Sequence, residues 1–376
     1  MRIVDLEKLE ARFEDEDARP LDDRFADALG VGLRPLRLLR DAIEADLDET
    51  NHGIGWWAGF GDLKHRVLVS DHLHQCAISV ETNLVEAQLH VLELLAWWDR
   101  SSDFLRAGTV LSEPPYFRHP ARTCARHDLP GRMVELHIAG AARAVGSALD
   151  CLAAVIIGVL PLPMNILTAD FDRVCSDLKK LAKGDDSPER TIQSGFVTVF
   201  DSSIASAGPV GWDRWIMNFR NMLVHRGRRL GTSILAPRSG LLDASGKPIV
   251  RAEDIRLLPA EPDLSEIESW AGIETRSPFL CESAEVTMKR VLGSATKLVA
   301  DVVEPLLTVW KARRAAPGLL PQPKNQWKDA PRRPSNFSGY DPGRIKADFN
   351  VLLGSPALVR RLKVAALDAK SRQKWK

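Results

Sequence analysis

Apolar residues recur at Leu73, Ala77, Val80, Leu84, Ala87, Val91, Leu94 and Leu95, close to a helical period, so a long helix is predicted from about Leu68 to Arg100. A second long helix is predicted from about Arg132 to Leu160. It opens small, with Ala139-Gly-Ala-Ala142, and becomes strongly apolar from Ala148 to Pro163. Small residues let helices approach closely, which places this element at the centre of a bundle. Shorter helices are expected over about 168–182 and 188–204. The β-branched run inside Gly195-Phe-Val-Thr-Val-Phe200 pulls the latter towards strand. Trp212, Trp215, Ile216, Phe219, Met222 and Leu223 form one helical stripe, with Gly227 as its C-terminal cap and Arg226 suited to its negative end. A last long helix is predicted from about Ser283 to Arg314.

The segments between these helices read differently. Asn51 to Gly61 is rich in glycine and aromatics and reads as a turn region, without the strand or spacing of a dinucleotide fingerprint. Pro114, Pro115, Pro120 and Pro130 break residues 101–130 into a connection. Residues 230–262 suggest a small hairpin or irregular excursion. Beyond Ala315 the chain is proline-rich and basic, as in an extended linker, with a short basic helix expected over about 343–370. The pattern predicts an all-α protein in three parts: an acidic N-terminal segment 1–67, a helical bundle 68–314 and a basic tail 315–376.

Composition adds limits. The content of 45% hydrophobic and 27% charged residues suits a globular chain with a sizeable core. The five cysteines, Cys76, Cys124, Cys151, Cys175 and Cys281, form no CxxC or CxxH pair. Neither a disulfide framework nor a zinc knuckle is expected, and a reducing, cytoplasmic setting fits. The N-terminus is charged throughout, unlike a secretory signal. The apolar run 148–163 contains Asp150 and is broken by Pro161, so it reads as a buried helix and no membrane association is expected. Net charge is +1 but uneven: residues 1–50 hold 15 acids and 8 bases (−7), and residues 311–376 hold 16 bases and 4 acids (+12). Three readings stand. The tail faces nucleic acid, it docks on the acidic end of the chain, or the two are solvated surfaces that partly neutralise each other.

The chemistry concentrates in Arg220-Asn221-Met222-Leu223-Val224-His225. On a helix each residue turns about 100°, so Asn221 and His225 share a face while Arg220 lies about 140° from His225. Convergence of Arg220 with His225 then needs the long arginine stem, a relaxed helix end or a second helix. Such a set suits RNA cleavage. RNA carries its own nucleophile in the ribose 2′-hydroxyl. Histidine moves protons near neutral pH, and the arginine fork holds a phosphate and offsets developing charge. Asparagine can orient the imidazole. No metal or other cofactor is required.

These residues resemble the R-x4–6-H signature of the HEPN superfamily, including its polar residue after the arginine. The resemblance implies a bundle of four or five helices and a metal-independent endoribonuclease acting as a homodimer, with two motif helices facing each other. It also implies a toxin–antitoxin, abortive-infection or other antiviral defence setting, with an antitoxin as a further partner. In that reading His225 is the acid/base, Arg220 the phosphate clamp and Asn221 the orienter. The resemblance covers about residues 68–314, and only the motif is specific. The competing class is a non-catalytic interaction module, in which Arg220 pairs with a carboxylate and His225 is a helix-end cation.

Other residues bear on this. Asp150, a carboxylate on an apolar helix, needs a partner, and Arg220, Arg143 or Arg173 can supply one. Arg226 supports the motif, and Arg228 and Arg229 extend it either as a phosphate track or as a solvated basic turn. His65, His72 and His74 are expected at the surface, since His72 and His74 diverge too widely for one metal ion. His137 reads as a core histidine or a cleft residue. The pairs Trp56-Trp57 and Trp97-Trp98 read as packing residues, with base stacking as the alternative.

Overall fold

From Leu73 to Leu94, the stripe that predicts the first long helix is buried, while Leu95 is only partly so. The computed structural model describes residues 33–47, 63–108, 129–181, 188–225, 232–242, 248–262, 279–320, 340 and 359–360. Among them are seven α-helices and one three-stranded sheet, and the protein is all-α. We number the helices α1 (Arg34–Ala45), α2 (Leu63–Gly108), α3 (Leu129–Val159), α4 (Phe171–Leu181), α5 (Pro188–Ala207), α6 (Trp212–His225) and α7 (Ala284–Ala315), and the strands β1 (Thr232–Leu242), β2 (Pro248–Pro259) and β3 (Phe279–Ser283).

Helices α2 and α3 run antiparallel, since Asn83 meets Cys151 and, further along α2, His90 meets the earlier residue His137. The small residues Ala139, Ala141, Ala142, Ala144 and Ala148 are buried along α3, as the close-approach argument requires. Gly131–Val159 has the length and hydropathy of a membrane span, but 78% of its most apolar window lies buried within the protein, the environment of a core helix.

The bundle closes with α1 and α7. Pro35, near the start of α1, suits a first turn whose N–H groups lack helical partners. Leu36, Leu39 and Ile43 then fall on one face and join the same core as α2, α3 and α7. The core therefore begins before residue 68. From α7, Trp310 Nε1 donates to the Asp46 carboxylate at 3.0 Å, and Arg314 also pairs with Asp46. Arg313 is 2% exposed and donates to the carbonyls of Gly158 and Val159 at 2.9 and 2.8 Å, capping the end of α3. Burial brings its guanidinium pKa down to about 9, which leaves it charged at neutrality.

The helix expected over about 188–204 forms as α5, its β-branched run included, because Phe196, Val197 and Phe200 bury one face against the core. Two differences from the sequence expectations have simple causes. The first long helix continues to Gly108, into the stretch expected to be a connection, because no proline occurs before Pro114. The excursion at 230–262 is a hairpin of β1 and β2, but β2 also pairs with β3, a five-residue strand that leads directly into α7. The turn region 51–61 with Trp56-Trp57, and most of the expected terminal helix, lie outside the described residues.

Candidate functional site

Helix α6 carries three of the residues the motif singles out. Trp212, Ile216, Met217, Phe219, Met222 and Leu223 are buried, which fixes the rotation of the helix. That rotation sends Arg220 towards α3 and leaves His225 exposed in the last turn, with Asn221 half-buried. Arg220 lies over Gly146, where an added Cβ would stand 2.9 Å from its Nε and 3.0 Å from its Cγ. The missing side chain at Gly146 is what lets the arginine stem cross the helix.

At its far end the Arg220 guanidinium pairs with Asp150, the partner weighed from the sequence. The other carboxylate oxygen of Asp150 accepts the backbone N–H of Phe171 at 3.1 Å, at the first turn of α4. One side chain thus links α3, α4 and α6. Burial raises the Asp150 carboxyl above the ordinary aspartate range, while the Arg220 charge and the Phe171 N–H pull it down. Asp172 is raised as well, by burial and then by Asp170 and Asp213, so Arg220 stands among several carboxylates. Arg226, Arg228 and Arg229 lie outside the described residues.

Arg220 and His225 therefore do not converge within one chain. Asn221 and His225 do share a face, and the structure adds two residues to it. Arg214, Asn218, Asn221 and His225 follow a spacing of four, three and four, which holds them within about 40° of one stripe. The signal was present in the sequence, but only the polar end of the stripe fell inside the motif.

No protein-family model, no curated protein and no solved structure matches the chain. The HEPN resemblance thus rests on the motif and its helical setting.

The histidines away from α6 need two corrections. His74, expected at the surface, is 4% exposed because α1 and the C-terminal segment cover it. Arg360 of that segment pairs with Asp71 at 3.2 Å and with Glu44 at 3.5 Å, and Glu44 lies 3.6 Å from His74. At this point the basic tail docks on the acidic side of the chain. His72, expected fully at the surface, is half-buried, with its Nε2 3.5 Å from Cys76 Sγ. Cys76 is buried and desolvation pushes its thiol up to about 12, which suits a packing role. Trp97 and Trp98 pack against the core.

His137 meets His90 with the two Nδ1 atoms 3.0 Å apart, the His90 ring lying where a Cβ on Gly140 would be. Burial lowers the His137 pKa, the neighbouring His90 lowers it further, and Glu93 opposes both. His74 is lowered by burial too, with Glu44 opposing. A folded-state pKa below the unfolded value of about 6.5 means that the unfolded chain binds the proton more readily. These two histidines thus contribute stability that is full above about pH 6.5 and is lost as pH falls towards their folded values. Urea unfolding midpoints should be lower at pH 5.5 than at pH 7.5, and the fall should be smaller in His137→Gln with His74→Gln. An equal fall in that double variant would show that other groups are responsible.

Proposed function

We propose that this chain is a metal-independent endoribonuclease of HEPN type, acting as a homodimer in a toxin or antiviral defence role. The observation that carries the reading is the polar stripe of α6, which brings Asn221 and an exposed His225 to solvent on one face. The 2′-hydroxyl attacks the adjacent phosphorus and the bond to the 5′-oxygen breaks. His225 takes the proton from the 2′-hydroxyl as base and returns it to the leaving 5′-oxygen as acid. Asn221 orients the ring or the phosphate. Arg220 faces the opposite way in its own chain, so the cation beside a given His225 comes from a second copy across a two-fold axis.

A second reading is a non-catalytic helical interaction module. The Asp150–Arg220 pair favours it, because it gives the arginine a structural task. Incubating the purified chain with single-stranded RNA and excess chelator separates the two. The nuclease yields fragments ending in a 2′,3′-cyclic phosphate and beginning with a 5′-hydroxyl. RNA left intact at equimolar protein would leave the interaction module standing.

A further inference from the structure

At the opposite end of the α6 stripe from His225 lies a cavity of about 520 Å³, between α6, the end of β2 and the start of α7. That volume is ample for a small planar ligand. Its walls include Arg214, Trp215, Asn218, Glu282, Arg290 and Ser294. Trp215 is a rigid wall, because its Nε1 donates to the Pro259 carbonyl at 3.0 Å and its ring stacks on Phe219 at 5.0 Å. On the α7 side the polar groups satisfy one another: Glu282 accepts from Arg290 at 2.8 Å and from Thr287 at 3.1 Å.

Three lining groups differ. The exposed Arg214 guanidinium, the half-buried Asn218 amide and the Ser294 hydroxyl have no hydrogen bond or ion pair among the described residues. Ser294 is 6% exposed as a residue and lines the cavity. The cavity therefore offers an indole wall, an amide that donates and accepts, a hydroxyl and an unpaired cation at its mouth. This matches an unstacked nucleobase, with its polar edge on Asn218 and Ser294 and its phosphate on Arg214. Asn218 and His225 are seven residues apart on one face, about 10 Å along the axis. A strand rising 3.4 Å per stacked nucleotide covers that in about three steps, and in fewer when extended.

We infer that this cavity holds a nucleobase of single-stranded RNA within about three nucleotides of the cut, making it a specificity subsite; the inference rests on the endoribonuclease reading above. The test uses the full chain and a short oligoribonucleotide carrying 2′-O-methyl at the cut position, which removes the nucleophile. A series of such oligonucleotides, each abasic at one position, is titrated against the protein. One abasic position within three nucleotides of the block is expected to weaken binding by roughly tenfold. Asn218→Ala, with Ser294→Ala as a second and milder variant, is expected to abolish that discrimination. Equal binding of every abasic oligonucleotide, no RNA binding at all, or discrimination unchanged in both variants would overturn the inference. The two proposals fail separately. His225-dependent cutting without an abasic penalty defeats the cavity alone, whereas an abasic penalty without any cutting of unmodified RNA defeats the nuclease reading and with it the specificity role, leaving the cavity as a base-binding site only.

Discussion

Replacing His225 with alanine is expected to slow RNA cleavage by about 10²–10⁴-fold, the usual contribution of a positioned acid/base. His225 is exposed at the end of α6 and has no hydrogen bond or ion pair among the described residues, so the variant should unfold like the parent chain. That combination is what distinguishes a chemical role from a structural one. An unchanged rate in His225→Ala would remove the residue from the mechanism. The endoribonuclease proposal takes its cation from a second subunit, because Arg220 and His225 do not converge within one chain, and this has its own test. On that proposal His225→Ala and Arg220→Met chains should each be inactive alone, but a mixed dimer should retain one intact site if arginine and histidine meet across the two-fold axis. Mixing them, well below both unfolding temperatures, should restore part of the activity. No recovery on mixing would mean that the pair is not assembled between subunits.

The second large effect concerns stability. Arg220→Met removes the cation from a carboxylate that is only 26% exposed and leaves Asp150 with a single partner, the Phe171 N–H. Breaking one side of a buried ion pair costs roughly 3 kcal/mol, because the remaining charge stays desolvated. Replacing both members at once, with Asp150→Leu and Arg220→Met, should recover most of that loss, since neither charge is then buried. The single variant's deficit should also shrink as pH falls towards the ordinary carboxylate range. Burial already raises the Asp150 carboxyl, and without Arg220 it takes up a proton more readily still. Denaturant unfolding of the three chains measures both effects. A double variant as unstable as the single one would mean that Arg220 stabilises α6 through something other than this carboxylate. Cleavage should be lost in the single and the double variant alike.

The chain reveals its helices more readily than its site. The register of α2 was legible because Leu73, Ala77, Val80, Leu84, Ala87, Val91 and Leu94 lie at helical spacing, and all seven are buried. At 196–200 the helical expectation holds against local propensity, because burial of Phe196, Val197 and Phe200 outweighs the strand preference of their neighbours. Strand β3 was illegible because five residues carry no period of their own, and pairing with β2 defines it. Asp150 could be seen to need a partner, yet nothing local says that Gly146 clears the path for Arg220. His74 looked like a surface residue because its cover comes from Glu44 and Arg360, neither close to it in sequence. The cavity is harder still, since its walls come from residues around 209–218, 260–262 and 280–294, and each stretch alone is ordinary.

The hydrogen bond from Trp310 to Asp46 joins residues 264 positions apart. During synthesis the N-terminal helix leaves the ribosome long before the helix that covers it exists. Its apolar face, Leu36, Leu39 and Ile43, can pack on α2 early but stays incompletely covered until α7 has been translated. A nascent chain stalled before α7 would expose that face, so chaperone dependence should be greatest for truncated products.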